Sequence, residues 1–254
     1  MDRFLGIVDQ LRDEGGCAWD RAQTLDSLKD SFIEECYEVI DSIDTGDIDH
    51  HMEELGDLLL HICLQSRIRK EEGAFVFNDV VERIAEKLIR RHPHVFGDAP
   101  AEDPVTALKS WESMKAEEKK ETRESVLDGV PRQLPALHRA QRLQGRAARV
   151  GFDWDKVENV VDKIDEELEE TKSALVEGDS DKLKDEIGDL LFAVVNLSRF
   201  QNISSEDALS GTIGKFISRF QYVEKKIKEE GRKLSDCSLD EMEHYWQESK
   251  SLED

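Results

Sequence analysis

Between residues 28 and 43, apolar side chains fall at Leu28, Phe32, Cys36, Val39 and Ile43, and 132 residues later the stripe returns as Val160, Ile164, Leu168, Thr171 and Leu175. Spacings of three and four belong to an amphipathic helix, and no period-two alternation competes with them. A chain that repeats one helical unit must bury the same face twice, so an all-α fold of two tandem modules is expected. Pro131 and Pro135, after the charged stretch from Lys115 to Glu124, mark the join. The predicted modules are residues 1–130 and residues 131–254.

Acidic residues repeat at the same offset. Glu34, Glu35, Glu38, Glu54 and Asp57 become Glu166, Glu167, Glu170, Glu186 and Asp189, a Glu-Glu-x-x-Glu followed by Glu-x-x-Asp in each half. In so acidic a chain one match means little: Glu117, Glu118 and Glu121 also spell Glu-Glu-x-x-Glu, but in a lysine-rich run with no Glu-x-x-Asp after it. That copy reads as a solvated face. The other two share their spacing and apolar context. At 100° per residue, Glu35 and Glu38 flank their helix's apolar stripe while Glu34 points further round. Glu54 and Asp57 are bracketed by Leu55, Leu58, Leu59 and Ile62 and border a packed seam of their own. Four carboxylates converging there raise one another's pKa values unless a divalent cation neutralises them, and oxygen-only ligands suit magnesium, with manganese as the alternative. Gly56 and Gly188, inside the Glu-x-x-Asp pairs, are expected to let a helix or ligand approach closely.

Each half continues with bases and an aromatic. Trp19-Asp20 answers to Trp154-Asp155, Lys87 and Arg91 to Lys215 and Arg219, and Trp111 with Lys115 to Trp246 with Lys250. Acids, cations and an aromatic in that order are what a metal-bound polyphosphate carrying a base requires.

With 58 acidic residues against 35 basic, the net charge of −23 repels polyanions, so no nucleic-acid partner is expected. No stretch approaches the roughly 20 apolar residues needed to span a bilayer, and the N-terminus lacks a signal-peptide core. A cytoplasmic protein without membrane contact is expected. Cys17, Cys36, Cys63 and Cys237 show no Cys-x-x-Cys spacing and read as reduced core thiols. Phosphate-loop, Rossmann and nucleophile-elbow motifs are absent, and the histidines offer no paired metal spacing; one Glu-x-x-His at Glu241 and His244 falls short of a di-iron bundle. Arg139, Arg142, Arg146 and Arg149 share a helical face that either guides phosphate or pairs with an acidic neighbour. The run Arg90-Arg91-His92-Pro93-His94 reads as a helix end stopped by Pro93.

These residues, set in helices, resemble the all-α nucleoside triphosphate pyrophosphohydrolases, and their tandem arrangement resembles the MazG family. Supporting stretches are Gly16-Cys17-Ala18-Trp19-Asp20, Glu53 to Leu59, Arg90 to Phe96, Val150 to Trp154 and Gly188 to Phe192. The resemblance covers nearly the whole chain, although Ala18 stands where many relatives have proline. It implies two four-helix-bundle-like modules that form intertwined homodimeric bundles and cleave ordinary or altered nucleoside triphosphates between the α and β phosphates with magnesium. It also implies that the C-terminal module carries the main catalytic site.

On that reading Glu167, Glu170, Glu186 and Asp189 hold magnesium, and Glu166 orients or deprotonates the attacking water. Lys163, Lys215 and Arg219 meet the phosphates, while Trp246 and Lys250 close over the nucleotide. Asn196, where the first half has Leu64, adds a polar contact. The equivalent N-terminal set is Glu35, Glu38, Glu54 and Asp57 for metal, with Lys87, Arg91, Trp111 and Lys115 for substrate. Whether it is catalytic, regulatory or structural stays open. A nucleotide sensor that binds magnesium triphosphate without turnover is the rival from another class, and a purely structural dimeric bundle is the third.

Overall fold

A computed structural model describes residues 1–97, 103, 106, 107, 110, 111, 114 and 124–252. The chain divides into two compact units, Met1–Glu121 and Thr122–Asp254. Every regular element among the described residues is helical, as the periodicity requires.

In the first unit α1 (Asp2–Arg12) and the short α2 (Ala18–Ala22) precede a hairpin of α3 (Lys29–Thr45) and α4 (Ile48–Glu71), followed by α5 (Phe77–Arg91) and α6 (Pro93–Phe96). The second unit has α7 (Ala136–Arg149), a hairpin of α8 (Val157–Glu177) and α9 (Ser180–Phe200), then α10 (Ser205–Glu229) and α11 (Leu239–Lys250). In each unit the hairpin is the main packed pair, and the preceding helix, α1 or α7, lies against its second arm.

The two hairpins turn by the same device. Helix α3 ends on Gly46 at φ +72° and α8 on Gly178 at φ +74°, the left-handed conformation that costs glycine least. The next residue, Asp47 or Asp179, caps the following helix: its carboxylate accepts from two backbone N–H groups, each at 3.1 Å. A left-handed residue and an aspartate cap in succession fix which turns of the two helices face each other. The acids near the middle of each arm are thereby brought opposite one another.

Val8, Leu28, Cys63, Leu64 and Ile68 form the buried core of the first unit. In the second, Val160, Ala174, Ala193, Val195, Val223 and Ile227 are buried. Only Cys63 of the four cysteines lies in the core; Cys36 and Cys237 are half-buried and Cys17, just before α2, is exposed. A methyl group built on Gly56 or Gly188 meets nothing within 4 Å. No described helix therefore packs within 4 Å of either position, so of the two expected neighbours, a helix or a ligand, the helix is ruled out there.

The C-terminal half of α10 and the segment after it pack along the length of α11. Tyr222 donates to Glu248 at 2.7 Å, and Arg232 stands 2.8 Å from Glu241, holding that carboxyl down at about 2 with help from the Ser238 cap. Beyond its first two residues the N-terminal half of α10 is different: every residue from Asp207 to Ser218 is exposed, Leu209, Ile213, Phe216 and Ile217 included.

Candidate active site

The α8/α9 hairpin brings Glu167, Glu186 and Asp189 together, one oxygen of each within 4.8 Å of the others. Glu167 is 6% exposed. One turn earlier, Lys163 Nζ stands 2.7 Å from both Glu166 and Glu167. Those bonds, Glu166 foremost, hold the ammonium well above its usual range. Glu170 lies outside the tight set, yet its carboxyl is pushed up, first by loss of hydration and then by the charges of Glu186, Glu167 and Glu166. One lysine against five acids leaves the site strongly negative, and a hard divalent cation fits a donor set made only of carboxylate oxygen.

A cavity of about 620 Å³ opens on this cluster, with Glu167, Asp189 and Lys163 on one wall. Phe152, Trp154, Leu143 and Phe192 make its apolar side, and Asn196 and Arg199 add polar groups. Arg199 bridges the Asp153 carboxylate and donates Nε to Asn196 Oδ1 at 2.9 Å. Asn196 is therefore oriented with its amide nitrogen left to donate. A volume of this size, largely apolar with a few fixed polar groups, is typical of small-molecule sites.

The N-terminal hairpin gathers Glu35, Glu38 and Glu54 within the same 4.8 Å limit, with Asp57 outside the set. Burial pushes the Glu35 carboxyl up, and Glu38, Asp57 and Glu54 push it further. The surroundings differ from those of the C-terminal cluster. Ser31 stands where Lys163 does one repeat later, and the positions of Ala193 and Asn196 are held by His61 and Leu64, 8% and 4% exposed. Side-chain bulk thus occupies the places that line the cavity in the second unit.

The expected phosphate and base contacts gather elsewhere. Arg219 and Lys250 lie over Trp246 at 5.8 and 5.9 Å from its ring centroid, and Lys215 is exposed one turn back on α10. In the first unit the buried Arg91 lies 5.6 Å over Trp111, with Lys87 half-buried one turn earlier on α5. Lys115 and the decoy Glu117, Glu118 and Glu121 lie outside the described residues. Each unit therefore has an acid centre and a group of cations round an aromatic ring. Of the arginine stripe on α7, Arg146 is committed to structure, donating to the carbonyls of Asp128, Val126 and Gly129.

Sequence reasoning missed Arg199, Asp153, Phe152 and Gln144 of the cavity. One signal was present: Arg67 stands at the 132-residue offset from Arg199 and is likewise held by aspartates, Asp9 and Asp13. Polar residues at element ends carry no period, and the cavity exists only once three helices are assembled.

Fold and site together define an all-α tandem protein with a carboxylate centre in each repeat and an open cavity beside the second. The MazG nucleotide pyrophosphohydrolase domain matches twice, over residues 23–96 and 155–224, and the chain belongs to that family. It is 44% identical over 250 residues to the Thermotoga maritima nucleoside triphosphate pyrophosphohydrolase/pyrophosphatase MazG, covering 98% of this chain and 95% of the relative. It is 44% identical over 259 residues to the Escherichia coli K12 nucleoside triphosphate pyrophosphohydrolase, covering 100% of this chain and 98% of the relative. A third relative, the Mycobacterium tuberculosis nucleoside triphosphate pyrophosphohydrolase, is 35% identical over 71% of this chain and 56% of its own length.

Proposed function

We propose that the chain hydrolyses nucleoside triphosphates to monophosphate and pyrophosphate, and that the C-terminal unit carries the turnover. The observation that carries this reading is the cavity of about 620 Å³ opening on Glu167 and Asp189. Family membership and the names of the full-length relatives support the bond class. The aromatic wall suits a nucleobase, and the acid wall suits a triphosphate carrying a divalent cation.

Glu167, Glu170, Glu186 and Asp189 are the residues to hold magnesium, or manganese in its place. When bound, magnesium supplies charge neutralisation and polarises the phosphorus under attack. Lys163, already poised at the acid edge, turns to the incoming phosphate, and Glu166 orients the attacking water and accepts its proton. In the N-terminal unit His61 and Leu64 occupy the cavity's counterpart, so that unit is assigned no nucleoside pocket.

Lys215, Arg219 and Lys250, gathered round Trp246, are the residues to meet the phosphates and the base. The exposed run of α10 from Asp207 to Ser218 supports a homodimer, because an apolar stripe left open on a helix is stabilised by a partner that covers it.

A pyrophosphate-release assay over ordinary, deoxy, deaminated and oxidised triphosphates tests the activity and ranks the bases. Glu170→Ala and Asp189→Ala are expected to lower release by about 100-fold or more while retaining helicity, and Asp57→Ala to leave it near wild type. Turnover persisting in both C-terminal variants removes catalysis from that site. Magnesium-dependent nucleotide binding without pyrophosphate release supports a sensor instead.

A further inference from the structure

Two side-chain amides line the cavity of the second unit, Gln144 and Asn196. An amide of either kind can ordinarily turn over and exchange donor for acceptor. Gln144 cannot: its Nε2 donates to the Phe192 carbonyl at 2.8 Å, and a carbonyl only accepts. Asn196 cannot either, because its Oδ1 accepts from Arg199 Nε at 2.9 Å, and a guanidinium only donates. Arg199 is itself held by Asp153, so the setting of Asn196 is anchored from outside α9. Gln144 is left with an acceptor to offer and Asn196 with a donor, both of fixed polarity.

The acceptor is the unusual member of the pair. Gln144 is 8% exposed, and among the described residues no donor reaches its Oε1. A buried amide oxygen without a donor is costly, and Leu143, Ala147 and Phe192 of the same wall carry no donor in their side chains. The first unit differs at both places. Arg12, one repeat before Gln144, is engaged by Glu71 and two backbone carbonyls, and Leu64, one repeat before Asn196, is buried and apolar. The fixed amide pair is therefore particular to the unit whose cavity opens on Glu167 and Asp189.

We infer that Gln144 is a specificity-determining residue of this cavity: its Oε1 accepts from an N–H on the edge of a nucleobase, while Asn196 Nδ2 donates to a ring or carbonyl acceptor of the same base. The ligand class is a nucleoside triphosphate whose base keeps a free edge donor. The amino group of adenine, N3–H of uracil and N1–H of hypoxanthine all qualify, so ordinary and deaminated bases are admitted alike. Bases whose edge donor is missing or methylated are rejected, because Oε1 then stays unpaired. This rests on the proposal that the cavity takes a nucleoside triphosphate, and it adds the polar group that checks the base.

Isothermal titration calorimetry of the full chain with magnesium and α,β-methylene triphosphates tests it, since these analogues resist cleavage between the α and β phosphates. The adenosine analogue should bind about tenfold or more tighter than the purine riboside analogue, which lacks the amino group and adds no bulk. The uridine analogue should exceed the 3-methyluridine analogue likewise. Gln144→Met and Gln144→Leu put good helix formers on α7, remove the acceptor and leave the Phe192 carbonyl its bond within α9. In both variants the adenosine analogue should weaken to the level of the purine riboside analogue, whose own affinity stays unchanged. Equal binding of the two analogues by wild type overturns the inference, and so does failure of either to bind. A preference that survives in the variants assigns the reading to another acceptor and overturns the role of Gln144. Pyrophosphate release from cleavable triphosphates, followed on the same preparations, judges the reaction separately: selective binding without release keeps Gln144 as the reader and removes turnover. Far-UV circular dichroism monitors folding, and the wild-type comparison decides whether the edge donor is read even if neither variant folds.

Discussion

Arg12 and Gln144 occupy the same position one repeat apart and do opposite things. Arg12, its side chain 5% exposed, binds Glu71 at 2.8 Å and donates to the carbonyls of Asp20 and Gln23, knitting α1 to α4 and to the segment around α2. Gln144 makes one bond, to the Phe192 carbonyl at 2.8 Å, and leaves the wall of a cavity. The Arg12 bond holds the Glu71 carboxyl below its usual range, against an opposing push from burial. With the folded pKa lowered, the stabilisation is present above the unfolded value near 4.5 and is lost as pH falls through the folded value. Arg12→Gln should therefore cost about 2 kcal/mol at neutral pH, judged by urea midpoints, and the gap from wild type should narrow on acidification below pH 4.5. A gap independent of pH would show that the carbonyl bonds, not Glu71, carry the effect.

At the scale of elements, the hairpin is the unit that makes a site out of a sequence motif. Substituting Gly178 with Ala places a β-carbon in the left-handed region at φ +74° and should cost about 1–2 kcal/mol. Removing the Asp179 cap by Asp179→Ala should cost about 1 kcal/mol. If the caps set only stability, pyrophosphate release per folded molecule stays unchanged; if they also hold the register of Glu167 against Asp189, release falls further than the folded fraction does. The hairpin was legible in the sequence because the stripe and the acids share a period, and the carboxylates Glu167, Glu186 and Asp189 could be named from spacing alone. The membership of the cluster was only partly legible. Glu170 and Asp57 stand outside the tight sets, since a helical wheel gives an angle about the axis but not how far each arm has slid along its partner.

Across the whole molecule, the exposed stripe on α10 predicts association. Phe216, stacked with Phe220 at 5.9 Å between ring centroids and 56% exposed, sits in its middle beside Trp246. Phe216→Glu should shift the chain from dimer to monomer in sedimentation velocity, because a charge in a covered apolar seam is strongly disfavoured. It should also lower turnover if the partner supplies Lys215 and Arg219. A monomeric wild type would leave the stripe to be covered within one chain. No described helix is long and apolar enough to cross a membrane. Residues 28–67 and 160–199 correspond one for one through both helices and the Gly-Asp turn, from Leu28 matched to Val160 to Arg67 matched to Arg199. The segment is thus a cassette of constant length, and a chimaera carrying either version twice would keep every connecting loop intact. Such hybrids separate what the hairpin itself encodes from what its neighbours impose, which is the freedom a duplicated gene has when one copy begins to drift.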